Sequence, residues 1–284
     1  MDPCPICHKE YPSKLCNINS FDVYKCINCE LIWVPDVDGA TLNKFYTKDY
    51  FKNPDSKFGY NDYIEDEKTL RINARYILSK VPARKGRLLD IGCAFGFLLD
   101  EARKLGWETH GVELNKEAAY YAAHHLNLNI FQGPISQANF LDSSFDCITI
   151  IGTMEHFQDP VSVIQKANKL LKPGGYLIIT TISTKGLIRL YAIKPPEHLY
   201  YFSPQNISLL LKSSGFNVLK RGGYWCHYQL SEALCRAYRL IFKSEKRLEN
   251  FLGLIPFLRV NIRVPTNEMF VLSQKIKHHF ENIS

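Results

Sequence analysis

The sequence predicts an α/β fold in which a largely parallel sheet carries helices on both faces. Short apolar segments alternate with helical segments between residues 87 and 181, as strands and crossover helices do in parallel sheets. The first of these strands, at residues 87–91, runs into a glycine-rich turn that opens a helix. A strand, a glycine turn and a helix in this order are how α/β proteins hold nucleotides.

The composition is that of a folded protein. Of the 284 residues, 46% are hydrophobic and 22% are charged, and the length suits one α/β domain with a small module beside it. No uninterrupted apolar stretch approaches the roughly 20 residues that cross a bilayer. The N-terminus lacks the basic and apolar segments of a secretory signal. We therefore expect a cytoplasmic protein with no transmembrane segment.

Two Cys-x-x-Cys pairs near the N-terminus predict a metal site. Cys4 and Cys7 form the first pair, and Cys26 and Cys29 form the second after a gap of 18 residues. Zinc prefers four soft ligands in a tetrahedron, and each short turn presents two thiolates to one point. Because so small a segment buries little apolar surface, a metal would stabilise it. We expect a structural Zn²⁺ ribbon over residues 1–36.

Aromatic side chains crowd the segment that follows, residues 37–63. They are Phe45, Tyr46, Tyr50, Phe51, Phe58, Tyr60 and Tyr63. Aromatic rings bury large apolar surfaces, and we interpret the segment as a linker that packs the ribbon onto the next domain. A helix at residues 64–78, ended by Pro82, then opens a main domain that we expect to span residues 64–284.

The elements of the main domain follow from apolar periodicity. We expect strands at residues 87–91, 108–113, 129–132, 145–151 and 176–181, with a turn at 173–175. Helices are expected at residues 97–105, 116–126 and 161–171. A further helix begins after its capping residue Ser203, with Pro204 at the first position. Strands at residues 216–221 and 268–274 complete the domain.

The glycine-rich turn and the strand after it predict a nucleoside site. Gly92 and Gly96 bracket the turn, where a missing side chain permits unusual backbone angles and close approach of a ligand. Glu113 ends the second strand, 23 positions after Asp90. A carboxylate in that place accepts hydrogen bonds from a ribose diol.

Residues 90–96, Asp-Ile-Gly-Cys-Ala-Phe-Gly, resemble the first motif of class I S-adenosylmethionine (SAM) dependent methyltransferases, with Ala94 in place of the middle glycine. Residues 145–148, 154–160 and 170–176 resemble later motifs of the same family in the expected order. The resemblance implies a Rossmann-like, mostly parallel sheet of seven strands. It also implies that the last strand lies antiparallel between the fifth and the sixth.

The resemblance further implies SAM as the cofactor and the residues that hold it. The glycine turn would contact the methionine part and the ribose, Glu113 the ribose hydroxyls, and Leu114 the adenine. The expected cofactor-binding residues are Asp90, Gly92, Ala94, Gly96, Glu113 and Leu114.

A four-cysteine ribbon followed by an aromatic linker is similar to methyltransferases of sugar and secondary-metabolite pathways, including sugar C-methyltransferases. That similarity covers roughly residues 4–220 and implies that linker tyrosines help to wall the substrate pocket. Glu197 and His198 resemble the active-site pair of that group, and His156 follows the fourth strand at the same sheet edge. We expect His198, Glu197 and His156 to be catalytic. The alternative is that each histidine only bonds a loop carbonyl.

The expected reaction is methyl transfer to oxygen or carbon of a small molecule, such as a sugar nucleotide or a related metabolite. An RNA base methyltransferase and a non-catalytic binding module remain as alternatives. Residues 221–284 hold ten Lys and Arg against five Asp and Glu, and so carry +5 of the net charge of +7. We expect a helical insertion at residues 222–266, with a basic amphipathic helix at about 230–247. This helix would face an anionic sugar nucleotide, a membrane surface or only solvent. Nucleic acid is disfavoured as a partner because the basic residues cluster late in the chain and not in the ribbon.

Overall fold

The computed structural model describes residues 3–39, 41–42, 48–51, 63–83, 85–185, 193–230, 234 and 260–277. In chain order, its strands are β1 (Ser13–Ile18), β2 (Phe21–Lys25), β3 (Ile32–Trp33), β4 (Arg87–Ile91), β5 (Glu108–Glu113), β6 (Asn129–Gln132), β7 (Phe145–Ile151), β8 (Leu171–Ile182), β9 (Tyr200–Tyr201), β10 (Phe216–Gln229) and β11 (Asn261–Lys275). Its α-helices are α1 (Glu67–Leu78), α2 (Phe97–Lys104), α3 (Lys116–His124), α4 (Pro160–Leu170) and α5 (Pro204–Ser213).

Seven strands form the central sheet in the order β10-β11-β8-β7-β4-β5-β6. Neighbouring strands from β8 to β6 run parallel, whereas β11 is antiparallel to both β8 and β10. The predicted α/β, Rossmann-like fold is therefore confirmed. The antiparallel strand between the fifth and sixth strands of the main domain is confirmed as well.

Helices cover both faces of the central sheet because alternate strand residues point to opposite sides. Leu88 of β4 packs in one apolar cluster with Leu99 of α2, and that cluster also contains residues of α1 and α3. Leu89, the next residue, packs in another cluster with Ile164 of α4, and this second cluster also contains residues of α5. With both faces covered by helices, the candidate site lies at the edge of the sheet formed by the carboxyl ends of the parallel strands.

The N-terminal ribbon forms a second sheet in the order β1-β2-β3-β9, and its fourth strand comes from the main domain. Ile32 and Trp33 pair antiparallel with Tyr201 and Tyr200. The N–H of Val34 extends this pairing by donating to the Leu199 carbonyl at 2.9 Å. Ribbon and central sheet share one apolar cluster, so the ribbon is built into the main domain.

Several expected element boundaries were wrong. Strand β8 begins at Leu171, and the turn expected at residues 173–175 is an irregularity within it, where the register with β7 shifts. Helix α1 begins at Glu67 instead of residue 64. Strands β10 and β11 occupy both ends of the insertion expected to be helical, because they pair with each other as far as Gln229 and Asn261.

The basic helix expected at about residues 230–247 falls almost wholly outside the described residues. Within the described part of the chain, no helix combines the length and the apolar character needed to cross a membrane.

Candidate functional site

The glycine turn after β4 has a backbone that only glycine adopts easily. Gly92 and Gly96 have φ angles of 79° and 80°. A Cβ atom on Gly92 would lie 2.4 Å from the Thr153 side chain, and one on Gly96 would lie 2.6 Å from Leu128. Ala94 between them has a φ of 47°, a left-handed conformation that explains why a glycine would suit this position.

Glu113, at the carboxyl end of β5, ties this turn to the second strand. Its Oε2 accepts the Ala94 N–H at 2.8 Å, and its Oε1 accepts the Asn115 N–H at 2.7 Å. Burial raises the pKa of this carboxyl, and the two backbone N–H groups act in the opposite direction. A carboxylate offers about four lone-pair positions, so both oxygens retain capacity for a ribose diol. Leu114 beside it is 47% exposed, as a residue flanking a ligand should be.

Asp90 is buried between β4 and β7. Its Oδ1 accepts the Thr149 hydroxyl at 2.6 Å, and burial raises the pKa of its carboxyl to about 7. The residues predicted to hold a cofactor thus lie together at one sheet edge, in a cradle formed by the tight glycine turn beside a buried carboxylate. This arrangement fits an adenosyl group.

The described part of the aromatic linker packs directly over the glycine turn. The rings of Phe51 and Phe95 meet edge to face with centroids 5.2 Å apart, and Tyr63 stacks on Phe95 at 5.4 Å. Phe95 also meets Tyr121 of α3 at 5.1 Å. Phe51 and Tyr63 of the linker thus pack on the main domain beside the cradle, and the expectation that the linker joins the ribbon to this domain stays a prediction.

A polar cluster forms where β7 and β8 end. His156 lies in a short 3-10 helix after β7, and its Nδ1 donates to the Glu197 carbonyl at 2.7 Å. The rings of His156 and His198 are 4.9 Å apart between centroids. The structure thus brings together all three residues predicted to be catalytic. Burial lowers the pKa of His156.

Two further residues belong to this cluster: sequence reasoning gave Glu155 no role, and gave Tyr50 only the pocket-wall role implied for the linker tyrosines in general. Glu155 is buried, its Oε2 accepts the Thr181 hydroxyl at 2.7 Å, and burial raises the pKa of its carboxyl to about 7. Tyr50 of the linker belongs to the cluster because its hydroxyl lies 3.5 Å from Glu197 Oε1. In the sequence, the adjacency of Glu155 to His156 was a signal that Glu155 could belong to the site. Nothing in the sequence distinguished Tyr50 from the other linker tyrosines.

The four predicted cysteine ligands meet at one point. The Sγ atoms of Cys4 and Cys29 are 3.6 Å apart, those of Cys7 and Cys26 are 3.5 Å apart, and all four lie within 4.8 Å of one another. A tetrahedral zinc with bonds of about 2.3 Å separates its sulfurs by about 3.8 Å. The donor set and its spacing therefore fit a four-thiolate zinc site.

Comparison with known proteins agrees with this geometry. A family model described as a methyltransferase domain matches residues 64–221, more than half of the chain. A ubiquinone biosynthesis O-methyltransferase of Vibrio cholerae is 32% identical over 143 residues, which cover 48% of this chain and 58% of that protein. The chain thus matches less than two thirds of that relative's length.

Solved structures share the fold at low identity. An S-adenosylmethionine dependent methyltransferase from Mesorhizobium loti aligns with a TM-score of 0.50 at 14% identity, over 71% of this chain and 96% of that one. The [4+2]-cyclase SpnF aligns with a TM-score of 0.52 at 14% identity, over 80% and 86%. These likenesses show the fold alone, so the reaction has to be argued from the site.

Proposed function

We propose that this chain, which belongs to the class I SAM-dependent methyltransferase family, transfers a methyl group from SAM to a small-molecule acceptor. The observation that carries the proposal is that Thr153 lies between the cradle and the polar cluster along the chain, so that the two adjoin. Thr153 packs against the Gly92 turn, and the cluster begins two residues later at Glu155. A donor in the cradle would therefore face the residues that handle the acceptor.

Oxygen is the proposed methylated atom. The curated relative is named as an O-methyltransferase, which supports an acceptor hydroxyl over an acceptor carbon. The sugar nucleotide expected from the sequence has no such support, so we propose a hydroxylated small molecule and keep sugar nucleotides as one class in the test. The predicted membrane-surface contact at about residues 230–247 stays a prediction.

SAM supplies a methyl group that positive sulfur has already activated, and the chain supplies position and proton transfer. Holding the acceptor oxygen close to the methyl carbon and in line with it accounts for much of the rate in such reactions. The cluster of Glu155, His156, Glu197 and His198 would take the acceptor proton, with His198 and His156 as candidate bases. The cradle residues Asp90, Gly92, Ala94, Gly96, Glu113 and Leu114 would hold the donor.

The cysteines support the proposed cytoplasmic location. No described cysteine forms a disulfide, and four of them are arranged for a metal. Free thiols and a thiolate metal site are typical of a reducing compartment.

Titration calorimetry with S-adenosylhomocysteine tests the donor site. Wild-type protein should bind it, and Gly92→Ala should weaken binding at least tenfold because the new methyl meets Thr153. Gly152→Ala is the matched control, since Gly152 also has a positive φ, of 58°, but a Cβ there meets nothing within 4 Å. No binding by the wild type would favour a non-catalytic module.

A screen with labelled SAM tests the acceptor class. Catechols, single phenols, sugar nucleotides and RNA would be offered in parallel, and a hydroxylated small molecule should become labelled. Label in RNA with steep salt dependence of binding would instead support the nucleic-acid alternative. His198→Ala should slow turnover at least tenfold while S-adenosylhomocysteine still binds, and unchanged turnover would remove His198 from the reaction.

A further inference from the structure

The segment that carries Glu197 and His198 is fixed firmly on its C-terminal side. The N–H of Leu199 donates to the Glu155 carbonyl at 2.8 Å, and the Leu199 carbonyl accepts the N–H of Val34 in the ribbon at 2.9 Å. The next residues form β9, which pairs with β3 of the ribbon. The positions of the two side chains therefore depend on what holds the residues before them.

Residues 194–198 form a closed turn. The N–H of His198 donates to the Lys194 carbonyl at 3.1 Å. The Tyr201 hydroxyl links the same two residues, because it accepts the Lys194 N–H at 2.8 Å and donates to the His198 carbonyl at 3.0 Å. A turn closed in this way moves as a unit, so a displacement near its start would also displace Glu197 and His198.

The start of this turn has few ways to be anchored. Pro195 and Pro196 have no N–H, so hydrogen bonds can hold their backbone only through the carbonyl oxygens. The Pro195 carbonyl accepts a hydrogen bond from the side-chain amide of Asn19 at 3.1 Å. Since a carbonyl only accepts, the nitrogen of the Asn19 amide must face it. The ribbon thus holds the segment at its start as well as at Leu199.

Asn19 owes its position to the tip of the ribbon hairpin. Together with Ser20 it forms the two-residue turn between β1 and β2, and the two residues have φ angles of 51° and 68°. Two-residue turns with positive φ angles make tight hairpins, and asparagine is one of the few residues that accept this backbone readily. The amide is therefore presented to Pro195 from a well-defined point.

The same contact also bears on His156. Its Nδ1 donates to the Glu197 carbonyl at 2.7 Å, and Glu197 lies only two residues after Pro195. A shift of the turn would therefore change the orientation of the His156 ring together with that of His198.

We infer that Asn19 is a positioning residue for acceptor chemistry, acting through Pro195. By holding the turn it sets the places of His156, Glu197 and His198. This rests on the proposed function, because those three residues are proposed to handle the acceptor proton. The ribbon then serves the reaction through one side chain, in addition to the pairing of β3 with β9.

The variant Asn19→Gly tests this role, because glycine keeps the left-handed backbone and removes the amide donor. With an acceptor found in the screen, kcat should fall about three- to tenfold, the range expected for one lost hydrogen bond. Affinity for S-adenosylhomocysteine should stay unchanged, because the cradle lies on β4 and β5. Zinc content should stay unchanged, because the cysteines remain.

A second variant separates this role from a role in the turn alone. Asn19→Asp keeps the shape of the side chain and a residue type that tolerates the turn, but a carboxylate cannot donate to the Pro195 carbonyl. We expect kcat to fall at least as far as in Asn19→Gly. Wild-type kcat in Asn19→Asp would show that only the hairpin turn matters and would overturn the inference.

Asn17→Ala is the matched control. Asn17 lies on the same hairpin, and its side-chain amide donates to Asp22 Oδ1 within the ribbon at 2.6 Å. This variant therefore loses a hydrogen bond of the same kind without touching the turn at residues 194–198. It should keep the kcat and the donor affinity of the wild type, and a loss of kcat equal to that of Asn19→Gly would contradict the inference.

Amide hydrogen exchange, followed by nuclear magnetic resonance, measures the turn without any turnover. The N–H groups of His198 and Leu199 should exchange about threefold faster or more in Asn19→Gly, and at the wild-type rate in Asn17→Ala. Unchanged exchange, or unchanged kcat, would overturn the positioning role and leave the methyltransferase standing. Faster exchange, together with no methylation of any acceptor by the wild type, would support the hold of Asn19 on the turn and remove the proposed function.

Discussion

At the scale of single residues, the candidate donor site depends on backbone angles that most side chains avoid. Ala94 has a φ of 47° between two left-handed glycines, and a left-handed conformation costs an alanine roughly 1–2 kcal/mol. The Ala94 N–H donates a hydrogen bond to Glu113. The strained backbone of Ala94 is therefore held by a hydrogen bond from the same residue. The sequence predicted this cradle because a short motif of fixed spacing encodes it.

Ionisation of Asp90, in the same site, makes the stability of the fold depend on pH. Burial raises the pKa of its carboxyl to about 7, against about 3.9 in an unfolded chain. A carboxyl whose pKa rises on folding binds more protons in the native state. Its contribution to stability is therefore full below about pH 4 and is lost as the pH rises to about 7.

We expect Asp90→Asn to remove this dependence, because the amide oxygen still accepts the Thr149 hydroxyl but does not ionise. The free energy of unfolding of the variant, relative to the wild type, should rise by up to about 1.4 kcal/mol per pH unit between pH 4 and 7. Urea unfolding at several pH values measures it. Asp142→Asn, at an exposed position, should keep the wild-type slope, and a pH-independent difference for Asp90→Asn would contradict the prediction.

At the scale of elements, the two-residue strand β9 is the feature that the sequence did not reveal. Residues 200–201 are too short to show a strand period, and their partner β3 is remote in the chain. The strand nevertheless joins the predicted zinc ribbon to the loop that carries His198. Asn206 adds a second connection, since its side-chain amide donates to the Cys29 carbonyl at 3.2 Å.

Loss of the ribbon metal should therefore impair acceptor chemistry more than donor binding. We expect Cys26→Ser to lower kcat/KM at least tenfold, because the His198 loop loses its support. Affinity for S-adenosylhomocysteine should change less than threefold, because the cradle lies on β4 and β5. Calorimetry and steady-state kinetics measure the two effects.

Cys16→Ser is the control for this prediction, since Cys16 lies in β1 of the ribbon outside the four-thiolate cluster. It should behave as the wild type does. Equal losses of donor affinity and turnover in Cys26→Ser would show general unfolding instead of a local effect.

At the scale of the whole molecule, the parts predicted from sequence are those that local patterns encode. Apolar periodicity placed strands β4 to β7 and the helices between them, because each buries one face on the sheet. The extension of β10 to Gln229 and of β11 back to Asn261 was missed, because it depends on pairing between segments far apart. The juxtaposition of Tyr50 with Glu197 was missed for the same reason.

A chain that begins at residue 64, where the family match begins, should not fold as a stable unit. Removing the ribbon leaves β9 without its partner β3 and opens the apolar cluster that ribbon and central sheet share, in which each fully buried aliphatic side chain contributes about 1.5–3 kcal/mol. We expect the shortened protein to aggregate or to lose its near-ultraviolet circular dichroism. A soluble, cooperatively unfolding fragment with normal donor affinity would show that the ribbon is dispensable for folding.

The pairing of Ile32 with Tyr201 also has a consequence for protein synthesis. The ribosome releases β3 long before it makes β9. During that interval the outer edge of β3 is unpaired, and an unpaired strand edge can pair with other nascent chains. Early metal binding by the four thiolates would keep the newly made ribbon compact until β9 is available to pair with β3. Scarcity of metal would then harm newly made molecules more than finished ones.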